Sequence, residues 1–161
     1  MDPLTHALLG GTLGYAVFAK PLGRKAAAVG ALAAFVPDAD VFIRSSSDPL
    51  LAVEYHRHFT HSLFFAPVGA AIVAALWLFQ RTSRTQAWHL WLCALVAYLS
   101  HCLLDSATSY GTQLLWPFTR QRYGWDFISI IDLLFTVPLA AGLFFAVRRR
   151  RVRPAILALV V

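Results

Sequence analysis

Five long apolar blocks divide the chain, and they constrain its fold more than any other feature. They cover 3–19, 26–43, 62–80, 88–104 and 127–147. A helix crossing a bilayer needs about 20 mainly apolar residues, with ~17 as a lower bound. Each block approaches or meets that length. The blocks are rich in Ala and Leu, and none alternates with period two, so they do not read as barrel strands. Composition agrees: 58% of residues are hydrophobic and 14% charged, where a soluble domain carries about a quarter charged. The expected fold is all-α, a polytopic membrane bundle of about five transmembrane helices.

The first block is broken by Gly10, Gly11 and Gly14. It lacks the positive n-region of a signal peptide, because its cationic residues follow the apolar run. It therefore reads as an uncleaved first span, with Gly10 and Gly14 forming a small-xxx-small pair for close packing on a neighbour. At the other end, an apolar run begins at Pro154 and stops at Val161. Eight residues cannot cross a bilayer. The expected organisation is one transmembrane domain, 1–153, followed by a segment 154–161 that either opens a longer apolar stretch or forms a short interfacial tail. Cys93 and Cys102 share the fourth block at a spacing that matches no metal or redox motif, and they read as small buried residues.

Lys and Arg set the expected orientation. Lys20, Arg24, Lys25, Arg81, Arg84 and the group Arg148, Arg149, Arg150, Arg151 and Arg153 fall on one side. Only Arg44, Arg57, Arg120 and Arg122 fall on the other. Ten against four places the N-terminus outside by the positive-inside rule. The sequence pI of 9.9 then reflects juxtamembrane charge suited to membrane lipids rather than nucleic acid. The arginine cluster reads as a topology anchor.

On this topology all eight acids and five of the six histidines fall toward the outer face; His89 alone lies inside. Four segments and His6 of the first span bring them together. Pro37-Asp38-Ala39-Asp40 closes the second block. His56-Arg57-His58-Phe59-Thr60-His61-Ser62 leads into the third. His101 and Asp105 are four apart and share a helix face. Asp132 lies within 127–147, about 9 Å deeper than Asp126 at 1.5 Å per residue. A single Asp at a helix end is often a turn residue, and Thr60 or Ser62 can simply cap a helix. Yet an unpaired ionisable group inside a span costs at least ~2.5–3.5 kcal/mol, and convergence of five segments is hard to obtain without a function. Imidazoles and carboxylates together suit a divalent ion, Zn, Mn or Fe. Eight such groups exceed one tetrahedral site, so two or more ions are expected.

These motifs resemble the YdjM-like family of inner-membrane metal-dependent hydrolases. The likeness covers nearly the whole chain. It rests on Thr5-His6, Pro37-Asp38-Ala39-Asp40, His56-Arg57 with Thr60-His61-Ser62, His101 with Leu104-Asp105, Tyr110-Gly111, Trp116-Pro117-Phe118, and Asp132. His58 departs from the pattern, which has glycine there, and stays outside the ligand set. The resemblance implies a bacterial inner-membrane protein and a metal-dependent hydrolase acting on phospholipid-like substrates.

The expected ligands are His6, Asp38, Asp40, His56, His61, His101, Asp105 and Asp132. Water activated by metal would cleave a phosphoryl or carboxylic ester of a lipid-like substrate at the outer face. Arg57 would clamp a phosphate, with His101 and Asp105 taking part in the chemistry, and Trp116 and Trp125 at headgroup depth. Two rivals have other signatures. A proton or metal-ion transporter also uses intramembrane His and Asp, but the inner half offers no relay. A metal-free lipid phosphatase would use His101 as nucleophile and Asp105 to orient it, but its lysine- and arginine-containing partner motif is missing.

Overall fold

The computed structural model describes residues 1–48, 50–77 and 83–160. Among them every regular element is helical, and Thr112 and Tyr123 form an isolated antiparallel bridge. Helix α1 (Pro3–Leu22) starts where Asp2 accepts the Thr5 N–H at 3.0 Å. It ends at Gly23, whose φ of 60° is the left-handed geometry that suits glycine. Helix α2 (Lys25–Phe35) stops ahead of Pro37, which cannot donate to the helical ladder. The chain then tightens into a 3-10 turn, Val36–Phe42, that carries Asp38 and Asp40. Short helix α3 (Leu51–Tyr55) and a second 3-10 turn (Phe59–His61) lead into α4 (Ala66–Ala75). Long helix α5 (Arg84–Ser106) is capped by Ser83 through the Gln86 N–H. Helices α6 (Leu133–Arg149) and α7 (Arg153–Ala158) complete the order.

Helices α1 and α5 outrun their expected blocks, whereas two others are shorter as α-helices than as apolar runs. Block 26–43 becomes α2 plus a 3-10 turn, and in 127–147 the helix starts only at Leu133. Residues 78–80 of the third block lie outside the described residues. By length and apolar composition, α5 is the one described helix able to cross a membrane by itself. The segments Leu51–His61 and Ala66–Ala75, bent by 82°, form a second candidate taken together. Among the described residues these criteria support one or two crossings, not five. Interruptions account for the difference: α1 carries Thr5, His6, Thr12 and three glycines, α2 meets Pro37, and 127–132 is not helical.

Packing centres on α1, which lies against α2 and α5, while α4 leans on α5. The α1–α2 approach is backbone to backbone. A Cβ on Gly10 would stand 2.4 Å from the Gly30 carbonyl oxygen, and one on Gly30 only 2.1 Å from that of Gly10. The neighbour expected for the glycines of the first block is therefore α2. An apolar core of Ala26, Val29, Ala33, Ala70, Val73, Cys93 and Ala97 fills the space between α2, α4 and α5. Cys93 and Cys102 are both buried. This contact stacks the end of α2 beside the last turns of α5, which sets Asp38 opposite His101 and Asp105.

Candidate metal centre

The imidazoles of His61 and His101 each have a partner on the Nδ1 side. His101 points Nδ1 at the Ala34 carbonyl oxygen, 2.7 Å away, on the last turn of α2. A carbonyl only accepts, so His101 Nδ1 carries the proton. His61 points Nδ1 at the Thr60 hydroxyl (3.0 Å) and at Asp40 Oδ2 (3.4 Å), which likewise favours a proton there. Both rings then present bare Nε2 lone pairs, and these two atoms lie 2.9 Å apart.

Carboxylates complete the same point. Asp105 Oδ2 lies 3.1 Å from His61 Nε2 and 3.3 Å from His101 Nε2. Asp38 Oδ1 is 3.7 Å from each. Asp38, His61, His101 and Asp105 offer four ligand atoms all within 4.8 Å of one another. His61, His101 and Asp105 are fully buried, and Asp105 Oδ2 and Asp38 Oδ2 have no hydrogen-bond donor. Buried acceptors facing one another without protons are costly. A cation among them satisfies all four. Two imidazole nitrogens and two carboxylate oxygens form a donor set that Zn accepts tetrahedrally, and Mn or Fe also accept.

The surrounding residues hold this group in place. Asp105 divides its oxygens: Oδ2 faces the ligand point, while Oδ1 takes donors. Those donors are Arg57 Nη2 and His6 Nε2, each at 3.0 Å, and the α-amino group of Met1. His6 also stacks on His101, with ring centroids 3.7 Å apart. Asp40, expected as a ligand, is turned away from the ligand point. Its Oδ2 accepts the Arg57 backbone N–H at 2.8 Å and lies beside His61 Nδ1, and its Oδ1 lies 3.2 Å from His56 Nδ1. This is the carboxylate–histidine arrangement that fixes a ligand's tautomer from behind. His56, one third exposed, lines the mouth rather than the buried group.

Arg57 is nearly buried and already engaged. Besides Asp105, its guanidinium donates to the Thr108 hydroxyl at 2.8 Å and the Asp105 carbonyl at 3.3 Å, and it lies over the Tyr110 ring. Its φ of 56° is unusual for a residue other than glycine; the bonds on both sides of it hold that geometry. Asp132, also expected among the ligands, caps α6 instead: its Oδ1 accepts the Leu134 and Phe135 N–H groups at 2.9 and 3.2 Å. A second cap lies beside it. Asp2 binds Thr5, whose hydroxyl meets that of Thr136 at 2.7 Å, tying the starts of α1 and α6. Burial alone would raise the Asp2 pKa, but the Thr5 bonds outweigh it and hold the carboxyl below its ordinary value.

Sequence reasoning missed three contributors: the Ala34 carbonyl, Thr108 and the Tyr98 hydroxyl, which donates to the Thr60 carbonyl at 2.7 Å. Only Thr108, three residues after Asp105, had a local signal. Of the eight expected ligands, the four-residue group holds Asp38, His61, His101 and Asp105. His6 and Asp40 adjoin it, His56 stands at the mouth, and Asp132 is used as a cap. Among the described residues this is one group of ligand geometry; no second group accompanies it.

The comparisons with known proteins agree with the motifs. The model of the family described as YdjM inner membrane protein matches residues 1–161. The chain belongs to the YdjM inner membrane protein family. Inner membrane protein YbcI of Escherichia coli (strain K12) is 33% identical over 131 residues, covering 79% of this chain and 75% of YbcI. Uncharacterized protein YfhP of Bacillus subtilis (strain 168) is 31% identical over 149 residues, covering 88% of this chain and 45% of YfhP. The chain therefore spans less than half the length of YfhP. No solved structure matches the chain.

Proposed function

We propose that this YdjM-family chain is a membrane-embedded, metal-dependent hydrolase that cleaves a phosphoryl or carboxylic ester of a lipid-like substrate. The reading includes a multi-pass bundle in a bacterial inner membrane, with the N-terminus and the site at the outer face. The observation that carries it is the facing pair of Nε2 atoms on His61 and His101, 2.9 Å apart and closed by Asp105 and Asp38. A divalent ion held by those four residues supplies Lewis acidity and brings the pKa of water toward about 7.

The chain's own residues take the remaining tasks. Asp40 keeps His61 in the tautomer that leaves Nε2 free, and the Ala34 carbonyl does the same for His101. Arg57 offsets part of the Asp105 charge, so the site does not bury two bare carboxylates. A cavity of about 490 Å³ reaches this group at Asp38. Asp38, His56 and Arg57 form its polar side, while Phe42 and Ile131, both largely exposed, border it as apolar wall. That division suits an amphiphilic ester, its reactive group toward the histidines and its chain along the apolar side. His56 is the imidazole at the mouth, backed by Asp40, and is placed to exchange a proton with bound substrate. The depth of His101 disfavours it as a covalent nucleophile: its ring is fully buried and both nitrogens are already faced by partners.

Hydrolysis by purified protein of phospholipids, lipid phosphates and carboxylic esters, before and after chelation, tests the proposal. Turnover that chelation removes and a divalent ion restores is the expected result. Turnover indifferent to chelators would instead favour His101 as nucleophile. Ion flux in liposomes without turnover would favour the transporter.

A further inference from the structure

The end of the bundle away from the buried histidines carries no Asp or Glu side chain among the described residues. Lys20, Arg24 and Lys25 sit around the α1–α2 connection, and Arg150, Arg151 and Arg153 around the α6–α7 connection. All six are exposed and line one cavity of about 930 Å³. No acid borders it. The acids of the chain are at 2, 38, 40, 48, 54, 105, 126 and 132, and none lies on either connection. His6 and Leu22 lie 16 residues apart on α1, which puts this end about 24 Å from the buried histidines at 1.5 Å per residue. The two connections are held together by packing. Tyr15, Ala146 and Ala155 form a buried cluster between α1, α6 and α7, and a Cβ on Gly142 would meet that of Ala158 at 2.3 Å. Arg24, Arg150, Arg151 and Arg153, gathered so, repel one another, and a bound anion offsets that repulsion.

A second cavity identifies the partner. It holds about 540 Å³ between α2 and α6 and shares Arg24 with the first. Ala27, Ala28, Leu143, Phe144 and Val147 line it, with Arg148 as its other cation. A basic chamber thus continues into an apolar groove that runs between two helices. A soluble polyanion would use the chamber and leave the groove empty. A phospholipid uses both. We propose that this end of the molecule is a binding site for an anionic phospholipid. The phosphate headgroup lies among Arg24, Arg150, Arg151 and Arg153, and an acyl chain lies along the α2–α6 groove. Basic pockets between helices next to the membrane surface suit such headgroups, and arginine pairs with phosphate by two parallel bonds. The site is separate from the metal centre and does not depend on the hydrolytic reading.

Electron spin resonance on the purified full chain in phosphatidylcholine vesicles tests this. The probes are spin-labelled phosphatidylglycerol and spin-labelled phosphatidylcholine. The expected result is at least tenfold preferential immobilisation of the phosphatidylglycerol at low salt, weakened at high salt. A triple variant, Arg150→Asn, Arg151→Ser and Arg153→Ser, should remove most of that preference; asparagine tolerates the positive φ of 53° at position 150. Ala28→Trp, which fills the groove and leaves every charge in place, should also reduce it. Equal immobilisation of the two lipids by the unaltered chain overturns the proposal, whatever the variants do. Displacement of the labelled lipid by millimolar inorganic phosphate or glycerophosphoglycerol also overturns it, by showing a site for soluble anions. A preference that survives the triple variant in a chain of unchanged helicity, or that ignores Ala28→Trp, contradicts this placement of headgroup and acyl chain.

Discussion

His61 and His101 face each other Nε2 to Nε2 across 2.9 Å, and the proton of each ring is committed to the far side. Thr60 and Asp40 take the one, and the Ala34 carbonyl takes the other. Two neutral rings so arranged have nothing to share. Asp105 Oδ2 adds another bare acceptor between them. A cation at this point turns four mutually unfavourable contacts into ligation, and the following expectations derive from that.

Ligands and orienting residues should separate by metal affinity. His61→Ala and Asp105→Ala each remove a ligand and should abolish tight binding. Asp40→Asn keeps every ligand but loosens the His61 tautomer; a loss of about 10–100-fold in affinity is expected for such a partner. Titration with zinc against a competing chelator measures all three.

Asp132→Ala should behave differently. It removes the cap of α6, at a cost of about 0.5–2 kcal/mol, and should leave metal content unchanged. Thermal melting together with metal analysis checks this. A large loss of metal would return Asp132 to the ligand set.

Arg57→Ala should destabilise the metal-free protein most. It leaves Asp105 buried with less compensation, and removal of one partner of a buried pair costs about 3–5 kcal/mol. His6 and Met1 still donate to the same oxygen, so the lower end of that range is expected in denaturant titration. Added metal should recover part of the loss, because it binds only the folded site.

Gly10→Val should weaken the α1–α2 contact. Its Cβ would fall on the Gly30 carbonyl, a backbone atom that cannot rotate aside. Overpacking of this kind costs about 1–3 kcal/mol or more. A lowered melting temperature and reduced folded yield are expected.

Much of this centre was legible because helical spacing is informative. His101 and Asp105, four apart on α5, had to share a face, and Pro37 had to end α2 near the Asp pair. The 3-10 turn was not legible. Within it Asp38 reaches the histidine Nε2 atoms while Asp40, two residues on, goes behind His61. Spacing alone cannot assign partners to two carboxylates so close in sequence. Asp132 was misplaced for another reason. Phe127, Ile128, Ile130 and Ile131 read as the start of a helix, yet this stretch is not helical. The backbone N–H groups of Phe127 and Ile128 bond to the Ala107 carbonyl past the end of α5. An apolar run does not reveal that its backbone is used elsewhere.

Orientation rests on charge and can be read directly. With the N-terminus outside, a cysteine at Ser46 should react with an impermeant reagent applied to intact cells, and one at Ser83 should stay protected. Both positions are exposed, and the native Cys93 and Cys102 are buried. The opposite labelling pattern would place the metal centre on the cytoplasmic side.

The most direct measurement is the metal content of the purified protein, determined by elemental mass spectrometry after incubation with zinc, manganese or iron and removal of excess ion. The His61→Ala/His101→Ala double variant serves as its counterpart. A divalent ion should be bound stoichiometrically to the unaltered chain and absent from the double variant, with matched helicity in both. A metal-free unaltered chain under all three ions, or equal metal in the two proteins, would contradict a metal centre at His61 and His101.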